Sequence, residues 1–336
     1  MEICPPHVTG TSERFASGTR LVADIGGTNA RFGWQANESA AITDVRLLPC
    51  ADYLTLAEAM HSYLTGIGRG VPTSCAMAIA TPVLGDQITM TNHHWAFSKD
   101  ELRRQFRFDR LLILNDFTAL AMALPALKAS ELSKVGGSEP LRDHAIALIG
   151  AGTGLGVSGL IPVGDSKWVP LTSEGGHVTL AANDARENAV LAELARRFGH
   201  VSAERAVSGR GLVELYRALF ALDGLGTPDL TVGPSEITLR AMRGNPVCRE
   251  ALQLFCAFLG TVAGNLALTL GAQGGVYIGG GIVPQLGDWF SQSPFRNRFE
   301  TKGRFSAYLT AIPVFVIHSR HSPALLGAAR ALDAQR

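Results

Sequence analysis

The stretch LVADIGGTN, residues 21–29, is an apolar run that reaches two glycines, and it predicts a buried strand followed by a tight loop. The stretch IALIGAGTGLG, residues 146–156, has the same character. Gly27-Thr28 of the first aligns with Gly152-Thr153 of the second, 125 residues further along the chain. Two such loops, each ending an apolar strand, indicate a duplicated fold.

Both glycine loops have the chemistry to bind phosphate. Backbone N–H groups that a glycine leaves uncovered can approach phosphate oxygens closely, and a threonine hydroxyl adds a donor. Neither loop matches the GxxxxGK[ST] loop or the GxGxxG dinucleotide fingerprint. A plain β-turn is the competing interpretation for either loop alone. The pair, with Gly-Thr at both tips, favours a polyphosphate held from two sides.

Composition limits the class of protein. The 336 residues are enough for two domains, and hydrophobic and charged shares of 46% and 18% predict a large buried core. A net charge of +1 gives no broad field that would attract nucleic acid or an anionic membrane. Five scattered cysteines without a CxxC pair are typical of a reducing compartment and argue against a cysteine-rich zinc site: Cys4, Cys50, Cys75, Cys248 and Cys256.

Two segments bear on targeting and on membranes. Residues 1–19 include a stretch rich in Ser, Thr and Gly and lack the apolar region of a signal peptide, so we expect a flexible tail. Residues 254–272 carry no charge and are long enough to span a membrane. Gly260 and Gly264 form a GxxxG pattern there, which is typical of membrane helix dimers. Three polar residues within the segment favour a buried helix of a large soluble domain instead.

Strands and helices follow one another in both halves, which indicates an α/β fold. Apolar runs predict strands at 21–25, 30–34, 45–49, 76–80, 87–90, 111–114, 145–149, 157–161, 276–278 and 313–317. Helical spacing predicts helices at 54–64, 118–124, 189–198, 211–222, 235–241, 248–270 and 324–332.

Two carboxylates lie at the ends of predicted strands. Asp24 precedes Gly26 by two residues, and it either faces water on an edge strand or contacts Mg²⁺ through water beside the phosphates. Asp116, in the pair Asn115-Asp116, follows the strand 111–114, at the edge where open α/β sheets bind ligands. It could accept the proton of a hydroxyl that attacks phosphorus. The pair could also cap the helix that starts near Thr118, and the two roles are compatible.

Two further motifs carry polar chemistry. EGGH, residues 174–177, has two central glycines that disfavour a helix and therefore a helical metal site. A glycine-hinged loop with a carboxylate and an imidazole suits a polyhydroxylated ligand, and Glu204 offers a second carboxylate. Each glutamate alone could equally be a solvated surface residue. TNHHW, residues 91–95, lacks a third metal ligand nearby, so we expect a packed Trp95 in a loop near the ligand.

Taken together, these motifs resemble the bacterial glucokinases of the hexokinase–actin–heat-shock ATPase superfold. The matching stretches cover nearly the whole chain from Leu21: LVADIGGTNARFG (21–33), TNHHWAFS (91–98), LILNDFTALAMALP (112–125), LIGAGTGLGVSGLIP (148–162), TSEGGHVTLA (172–181), ERAVSGRGLVELYRAL (204–219) and GGVYIGGGIVPQ (274–285). The related repressor/kinase group carries a cysteine-rich zinc motif, which this chain lacks between Cys75 and Cys248.

The resemblance implies a role for each motif. Asp116 would be the general base for the sugar 6-hydroxyl. The sugar hydroxyls would be bound by Asn115, Asp116, Glu174, His177 and Glu204. The nucleotide would be bound by three glycine-containing segments. The first phosphate loop would consist of Gly26, Gly27, Thr28 and Asn29, and the second of Gly152, Thr153 and Gly154. The adenosine-binding turn would consist of Gly279, Gly280 and Gly281.

The resemblance also implies the architecture and the reaction. We expect an α/β, two-domain actin-like ATPase (ribonuclease H-like) fold with a cleft between a small domain, residues 20–126, and a large domain, residues 127–317. A C-terminal helix of about residues 318–336 would return to the small domain. The reaction would be ATP:D-glucose 6-phosphotransfer with Mg²⁺, in a cytoplasmic homodimer of glycolysis with glucose and ATP as ligands and with no nucleic-acid or membrane partner.

Other functions remain open from the residues alone. A kinase for fructose, mannose or an amino sugar would use the same motifs, and polyphosphate or ADP could replace ATP as donor. A sugar-independent ATPase of the same superfold would need no EGGH loop. A glycoside hydrolase that pairs Asp116 with Glu174 leaves both glycine loops unexplained. A non-catalytic sugar sensor is disfavoured because the proposed base is intact.

Overall fold

The computed structural model describes residues 16–164, 167–318 and 322–334, so most of the expected tail, residues 1–15, lies outside the described residues. The chain forms two compact units. Unit 1 contains the described residues up to Leu120 and from Ser322 onward, and unit 2 spans Ala121–His321. The domain limits expected from the sequence differ from these by a few residues and stay a prediction.

Unit 1 is built on a five-stranded mixed sheet with the order β3-β2-β1-β4-β7. Its strands are β1 (Ala16–Ile25), β2 (Asn29–Gln35), β3 (Ile42–Pro49), β4 (Pro72–Ile79) and β7 (Arg110–Asn115), with a separate hairpin of β5 (Gln87–Thr89) and β6 (Ala96–Ser98). Its helices are α1 (Leu56–Ile67), α2 (Lys99–Gln105), the start of α3 (Asp116–Ala123), and α12 (Pro323–Ala334).

Alternation along β1 explains how the sheet of unit 1 is covered on both faces. Leu21, Ala23 and Ile25 point into a core that also contains residues of α1. Val22 points the other way and packs against Leu325 of α12. Because successive side chains alternate, Asp24 lies on the same face as Val22, which is the face that α12 covers.

Unit 2 contains a six-stranded sheet with the order β11-β10-β9-β12-β13-β8. Its strands are β8 (Leu132–Lys134), β9 (Ile146–Ala151), β10 (Leu155–Pro162), β11 (Trp168–Leu171), β12 (Val276–Gly279) and β13 (Val314–Ile317). Its helices are α4 (Ala185–Phe198), α5 (Gly209–Leu222), α6 (Pro234–Met242), α7 (Pro246–Leu270), α8 (Val283–Leu286), α9 (Asp288–Ser291), α10 (Phe295–Glu300) and α11 (Ser306–Ala311).

The two sheets repeat one topology, which confirms the predicted duplication. In unit 1, β3, β2 and β1 form an antiparallel meander, and β4 and β7 then run parallel to β1. In unit 2, β11, β10 and β9 form the same meander, and β12 and β13 run parallel to β9. Each glycine loop connects the two equivalent strands, β1 to β2 and β9 to β10.

The long apolar segment is a core helix of unit 2. Within the described ranges, α7 is the one helix long and apolar enough to cross a membrane by length and composition, and core helices of soluble proteins pass the same test. It packs against α5, α6 and α10, and most of its residues are buried. The GxxxG pattern permits a close crossing with α10, because a Cβ at Gly260 would collide with the Phe295 carbonyl and one at Gly264 would lie 2.8 Å from the Phe299 carbonyl.

Candidate active site

Strand register brings three segments of unit 1 to one edge of its sheet. Ile25 of β1 pairs with Ile79 of β4, and Ile79 pairs with Asn115 of β7, with all three strands parallel. Gly26 follows directly after β1, and Asp116 follows directly after β7. The predicted general base and the first glycine loop therefore share the carboxyl edge at which open α/β sheets bind ligands.

Asn115 and Asp116 also begin α3, as the capping interpretation predicts. The Oδ1 of Asn115 accepts hydrogen bonds from the N–H groups of Phe117 (2.9 Å) and Thr118 (3.4 Å), and Nδ2 donates to the Thr81 carbonyl at 3.5 Å. The Oδ1 of Asp116 accepts from the N–H of Phe117 at 2.9 Å. These bonds fix both side chains, so capping and presentation of the carboxylate occur together.

The Asp116 carboxyl is half-buried, and its acidity is shifted toward neutrality. Burial is the main cause that raises the pKa of Asp116 from 3.8 to about 6. The hydrogen bond from Phe117 N–H opposes the rise, and the nearby charge of Asp24 adds to it. A carboxylate with such a pKa is a stronger proton acceptor than an ordinary aspartate and is still ionised at neutral pH.

Asp24 lies in the central strand of the sheet, so its interpretation as an edge-strand carboxylate is wrong. Its Oδ2 accepts a hydrogen bond from Ser322 Oγ at 2.5 Å and lies 3.4 Å from Nη1 of Arg31. The carboxylate is partly buried with these two partners, which offset the cost of its position in an apolar strand. Both contacts use Oδ2, which leaves Oδ1 for a further partner.

The first glycine loop is held by Cys50 from the end of β3. The Cys50 N–H donates to the Thr28 carbonyl at 2.8 Å, and its thiol lies 3.5 Å from the Gly26 carbonyl. The Gly26 N–H donates to the Asn29 carbonyl at 3.0 Å, which closes the turn. Thr28 and Asn29 are exposed at its tip. The loop is thus a tight turn whose outer residues face solvent, so the turn and phosphate interpretations are compatible.

The TNHHW segment, residues 91–95, packs directly on this loop. A Cβ at Gly27 would lie 2.8 Å from the Cβ of Asn92, which is why glycine is needed there. Trp95 is buried, as predicted, and its Nε1 donates to the Tyr53 carbonyl at 3.1 Å. The His93 and His94 rings are tilted by 36° relative to each other, with 4.2 Å between their centroids.

The second glycine loop lies against the N-terminus of α5 in unit 2. The Gly152 N–H donates to the Gly154 carbonyl at 2.8 Å, and the Gly209 N–H donates to the Gly152 carbonyl at 2.8 Å. Ser208 caps the helix by accepting from the Gly211 N–H at 2.9 Å. The N-terminus of a 14-residue helix is therefore placed beside the loop, and the positive end of the helix dipole there favours an anionic group.

Glu204 is tied to the second glycine loop. Its Oε2 accepts a hydrogen bond from the Leu155 N–H at 2.8 Å and lies against Gly154, where a Cβ would collide with it. From the sequence, Glu204 was expected to bind only the sugar. The structure adds that one of its oxygens holds the loop predicted to bind phosphate, across a separation of 49 residues.

The EGGH segment forms a single 3-10 turn, Gly175–His177, and not an α-helix, as its glycines predict. A Cβ at Gly176 would collide with the Leu155 carbonyl, so the turn packs tightly on the start of β10. Val178 then accepts a hydrogen bond from the Ala203 N–H at 2.8 Å, one residue before Glu204. Unit 2 therefore brings together the EGGH turn, with Glu174 and His177 exposed, and the Glu204 turn at Leu155.

The third glycine run lies beside the second loop. Gly279 pairs with Gly150 in register, and Gly280 has a φ of +80°. A Cβ at Gly280 would collide with the backbone of Ala151, so a larger residue would push the two segments apart. Gly281 and Gly152 line the same cavity.

That cavity, of about 910 Å³, lies wholly within unit 2. Six of its lining residues were not predicted from the sequence: Phe198, Arg205, Arg210, Arg217, Thr238 and Gln285. Arg205 stacks over Phe198, with 4.3 Å from Cζ to the ring centroid. The ERAVSGRG stretch, residues 204–211, could have pointed to two of the arginines, since it begins with Glu204. Gly152 and Gly281 have no protein atom within 4 Å of a Cβ and no positive φ. Neither protein packing nor backbone conformation therefore explains these two glycines, whereas a ligand close to the backbone would.

No group of three or more His, Cys, Asp and Glu side chains that could hold a metal occurs in residues 16–164, 167–318 and 322–334. Asp24 and Asp116 are two carboxylates near enough to interact electrostatically. Such a pair suits Mg²⁺, which usually keeps several waters and binds through one or two carboxylates together with substrate phosphates.

The chain is similar to known proteins over nearly its whole length. A family profile described as Glucokinase matches residues 21–335. A glucokinase of Aromatoleum aromaticum is 53% identical and aligns with 97% of this chain and 97% of its own length. A bifunctional protein glk of Burkholderia pseudomallei is 50% identical over 96% of this chain, and this chain spans 50% of that relative's length.

The fold has a similar solved structure. The crystal structure of a glucokinase from an Antarctic psychrotroph has a TM-score of 0.84 and 36% sequence identity, and the match covers 94% of this chain and 98% of that one. The predicted actin-like α/β fold is thereby confirmed.

Proposed function

The chain belongs to the glucokinase family, and on that premise we propose how its residues divide the work of the reaction. The activity is that of an ATP-dependent sugar kinase of the hexokinase type, which transfers the γ-phosphoryl group of ATP to the 6-hydroxyl of D-glucose. Such a transfer requires in-line positioning of the hydroxyl and neutralisation of the phosphate charge.

Asp116 is assigned as the general base, and its environment is the observation that carries the proposal. The carboxyl is half-buried at the carboxyl edge that it shares with the first glycine loop, with a pKa of about 6. At neutral pH it is ionised and able to take the proton of the 6-hydroxyl as that oxygen attacks phosphorus. The Phe117 N–H fixes its Oδ1 at 2.9 Å, so the carboxylate is oriented before substrate arrives.

Glucose is proposed to bind through its hydroxyls to Asn115, Glu174, His177 and Glu204. The clustering of the EGGH turn with Glu204 at Leu155 supports this assignment for unit 2. The Oδ1 of Asn115 caps α3 and one Nδ2 hydrogen is directed to the Thr81 carbonyl, so the second Nδ2 hydrogen is left to donate to a sugar oxygen. The exposed Glu174 accepts, and His177 donates or accepts according to its tautomer.

ATP is proposed to bind through both glycine loops, Gly26–Asn29 and Gly152–Gly154, and through the Gly279–Gly281 turn. The unexplained glycines at positions 152 and 281 and the start of α5 beside the loop support a nucleotide in the 910 Å³ cavity. Mg²⁺ would neutralise phosphate charge when bound, with Asp24 contacting it through water by way of Oδ1. Because Asp24 already has Ser322 and Arg31 as partners, it acts chiefly by orienting water.

The resemblance to bacterial glucokinases further leads us to propose a cytoplasmic enzyme of glycolysis that acts as a homodimer. Light scattering on a gel-filtration column would measure the mass in solution, where a monomer of 35.6 kDa would contradict the dimer.

The test of the reaction is ADP release from Mg·ATP with and without glucose, coupled to detection of glucose 6-phosphate. We expect ADP and glucose 6-phosphate in equal amounts and only in the presence of glucose. ADP release without glucose would assign the chain to the sugar-independent ATPases. A panel with fructose, mannose and glucosamine at matched concentrations would establish the preferred hexose.

A further inference from the structure

A second cavity of unit 2, of about 280 Å³, lies behind the EGGH turn and apart from the nucleotide cavity. One wall is a face of α7 that includes Thr261, Val262 and Leu266, spaced as helix geometry requires. The opposite wall is the start of β10 and the segment around the EGGH turn, including Val157, Gly175 and Val178. No charged side chain lines it.

Three hydroxyls that line this cavity have partners within the protein, and a fourth, buried one has none. Ser158 donates to the Leu171 carbonyl at 2.8 Å, Ser173 accepts from the Gly175 N–H at 3.0 Å, and Thr269 donates to the Asn265 carbonyl at 2.8 Å. Thr261 is only 6% exposed, and its hydroxyl has no hydrogen-bond partner within the described chain. A buried hydroxyl without a partner costs about 1–3 kcal/mol, which a bound group could recover.

We propose that this cavity binds a small, uncharged, mostly apolar molecule that carries one hydroxyl, and that its occupancy strengthens sugar binding. The size admits a single ring or a short alkyl chain, and a lining without charged side chains favours an uncharged ligand. The ligand hydroxyl pairs with that of Thr261. No role in phosphoryl transfer is required of any of these residues.

Ligand binding in this cavity is coupled to sugar binding through the residues that form the cavity wall. A Cβ at Gly175 would lie 2.8 Å from Val157 Cγ1, so the EGGH turn rests directly on the cavity wall. Val178 is fixed on its other side by the Ala203 N–H, next to Glu204. A molecule that fills the cavity therefore restricts the segment that carries Glu174 and His177. This part of the inference rests on the proposed assignment of those residues to the sugar.

The binding test uses 2-phenylethanol and its hydroxyl-free counterpart ethylbenzene, measured by ligand-observed NMR and calorimetry without substrates. We expect 2-phenylethanol to bind at about 1 mM or tighter and about fivefold more tightly than ethylbenzene. The isosteric change Thr261→Val should erase that preference. Leu266→Phe, which fills the cavity, should weaken binding at least about tenfold. Leu268→Phe is the matched control, since Leu268 is also a partly buried leucine of α7 but does not line the cavity.

Equal binding to the native protein and to Leu266→Phe would overturn the site, and an unchanged preference in Thr261→Val would overturn the role of the hydroxyl. The coupling is tested separately by kinetics. Saturating 2-phenylethanol should lower the KM for glucose about fivefold in the native protein, leave the KM for ATP unchanged, and have no effect in Leu266→Phe. An unchanged KM for glucose would overturn the coupling. If instead the proposed reaction were wrong, the native protein would not phosphorylate glucose but would still bind 2-phenylethanol.

Discussion

The environment of Asp116 predicts opposite effects of Asp116→Asn on activity and on stability. The amide keeps an oxygen that can accept from the Phe117 N–H, so the start of α3 should be retained. The amide cannot take a proton from the sugar hydroxyl. Loss of a general base lowers kcat by about 10²–10⁴-fold, and we expect the KM for glucose to change little.

The effect on stability has the opposite sign. Because the folded pKa, about 6, lies above the ordinary value of 3.8, the folded state binds more protons than the unfolded state between these pH values. The ionised carboxyl therefore destabilises the fold as pH rises through this window, and the penalty is complete above about pH 6. A shift of about two pH units corresponds to at most about 3 kcal/mol, and the partial exposure of Asp116 reduces this to about 1–2 kcal/mol.

The assay compares urea midpoints of the native protein and of Asp116→Asn at pH 8 and pH 5, together with kcat at pH 8. The variant should be more stable at pH 8, with a smaller difference at pH 5. Asp109→Asn is the control and should change neither quantity, since Asp109 is exposed and lies one residue before β7, at the end opposite to Asp116. A kcat within tenfold of native would refute the base assignment, and a variant less stable than native at pH 8 would refute the electrostatic reasoning. In the native enzyme kcat/KM should fall about tenfold per pH unit below pH 6.

Three further changes test the surroundings of the site. Gly152→Ala should fold normally but raise the KM for ATP about tenfold. Gly233→Ala is the control and should leave this KM unchanged, although a Cβ at Gly233 also has no protein atom within 4 Å. If both variants had the same KM for ATP, a bound ligand would not explain Gly152. Glu204→Ala should raise the KM for both glucose and ATP, since it also removes the acceptor of the Leu155 N–H. Glu204→Gln keeps an acceptor for that N–H and should raise only the KM for glucose. Identical KM values in the two variants would contradict the separate roles of the two Glu204 oxygens. Gly260→Ala should destabilise unit 2 by about 1–3 kcal/mol through its clash with α10, as measured by thermal unfolding, and a native melting temperature would show that the crossing adapts.

Local patterns in the sequence determined much of the fold. The two apolar runs that end in glycine loops predicted two equivalent hairpins, because strand patterning and turn chemistry involve only neighbouring residues. The EGGH glycines predicted a turn where spacing alone would permit a helix. The length and composition of α7 predicted a buried helix, although not that its GxxxG pattern accommodates α10. Short elements such as β8 and α8 lack enough residues to show a period, and the sequence did not reveal them.

Only the tertiary structure decided how these local pieces act on one another. Asp24 reaches Ser322 across 298 residues, and Glu204 reaches Leu155 across 49. The pKa of Asp116 depends on burial and on the charge of Asp24, neither of which can be read from the Asn-Asp pair itself. Such contacts arise when parallel strands are aligned in register and when loops pack against each other, and these depend on the whole core. The sequence by itself therefore determined which chemical groups the protein has at its loops, and the packing of the chain decided their partners, orientation and acidity.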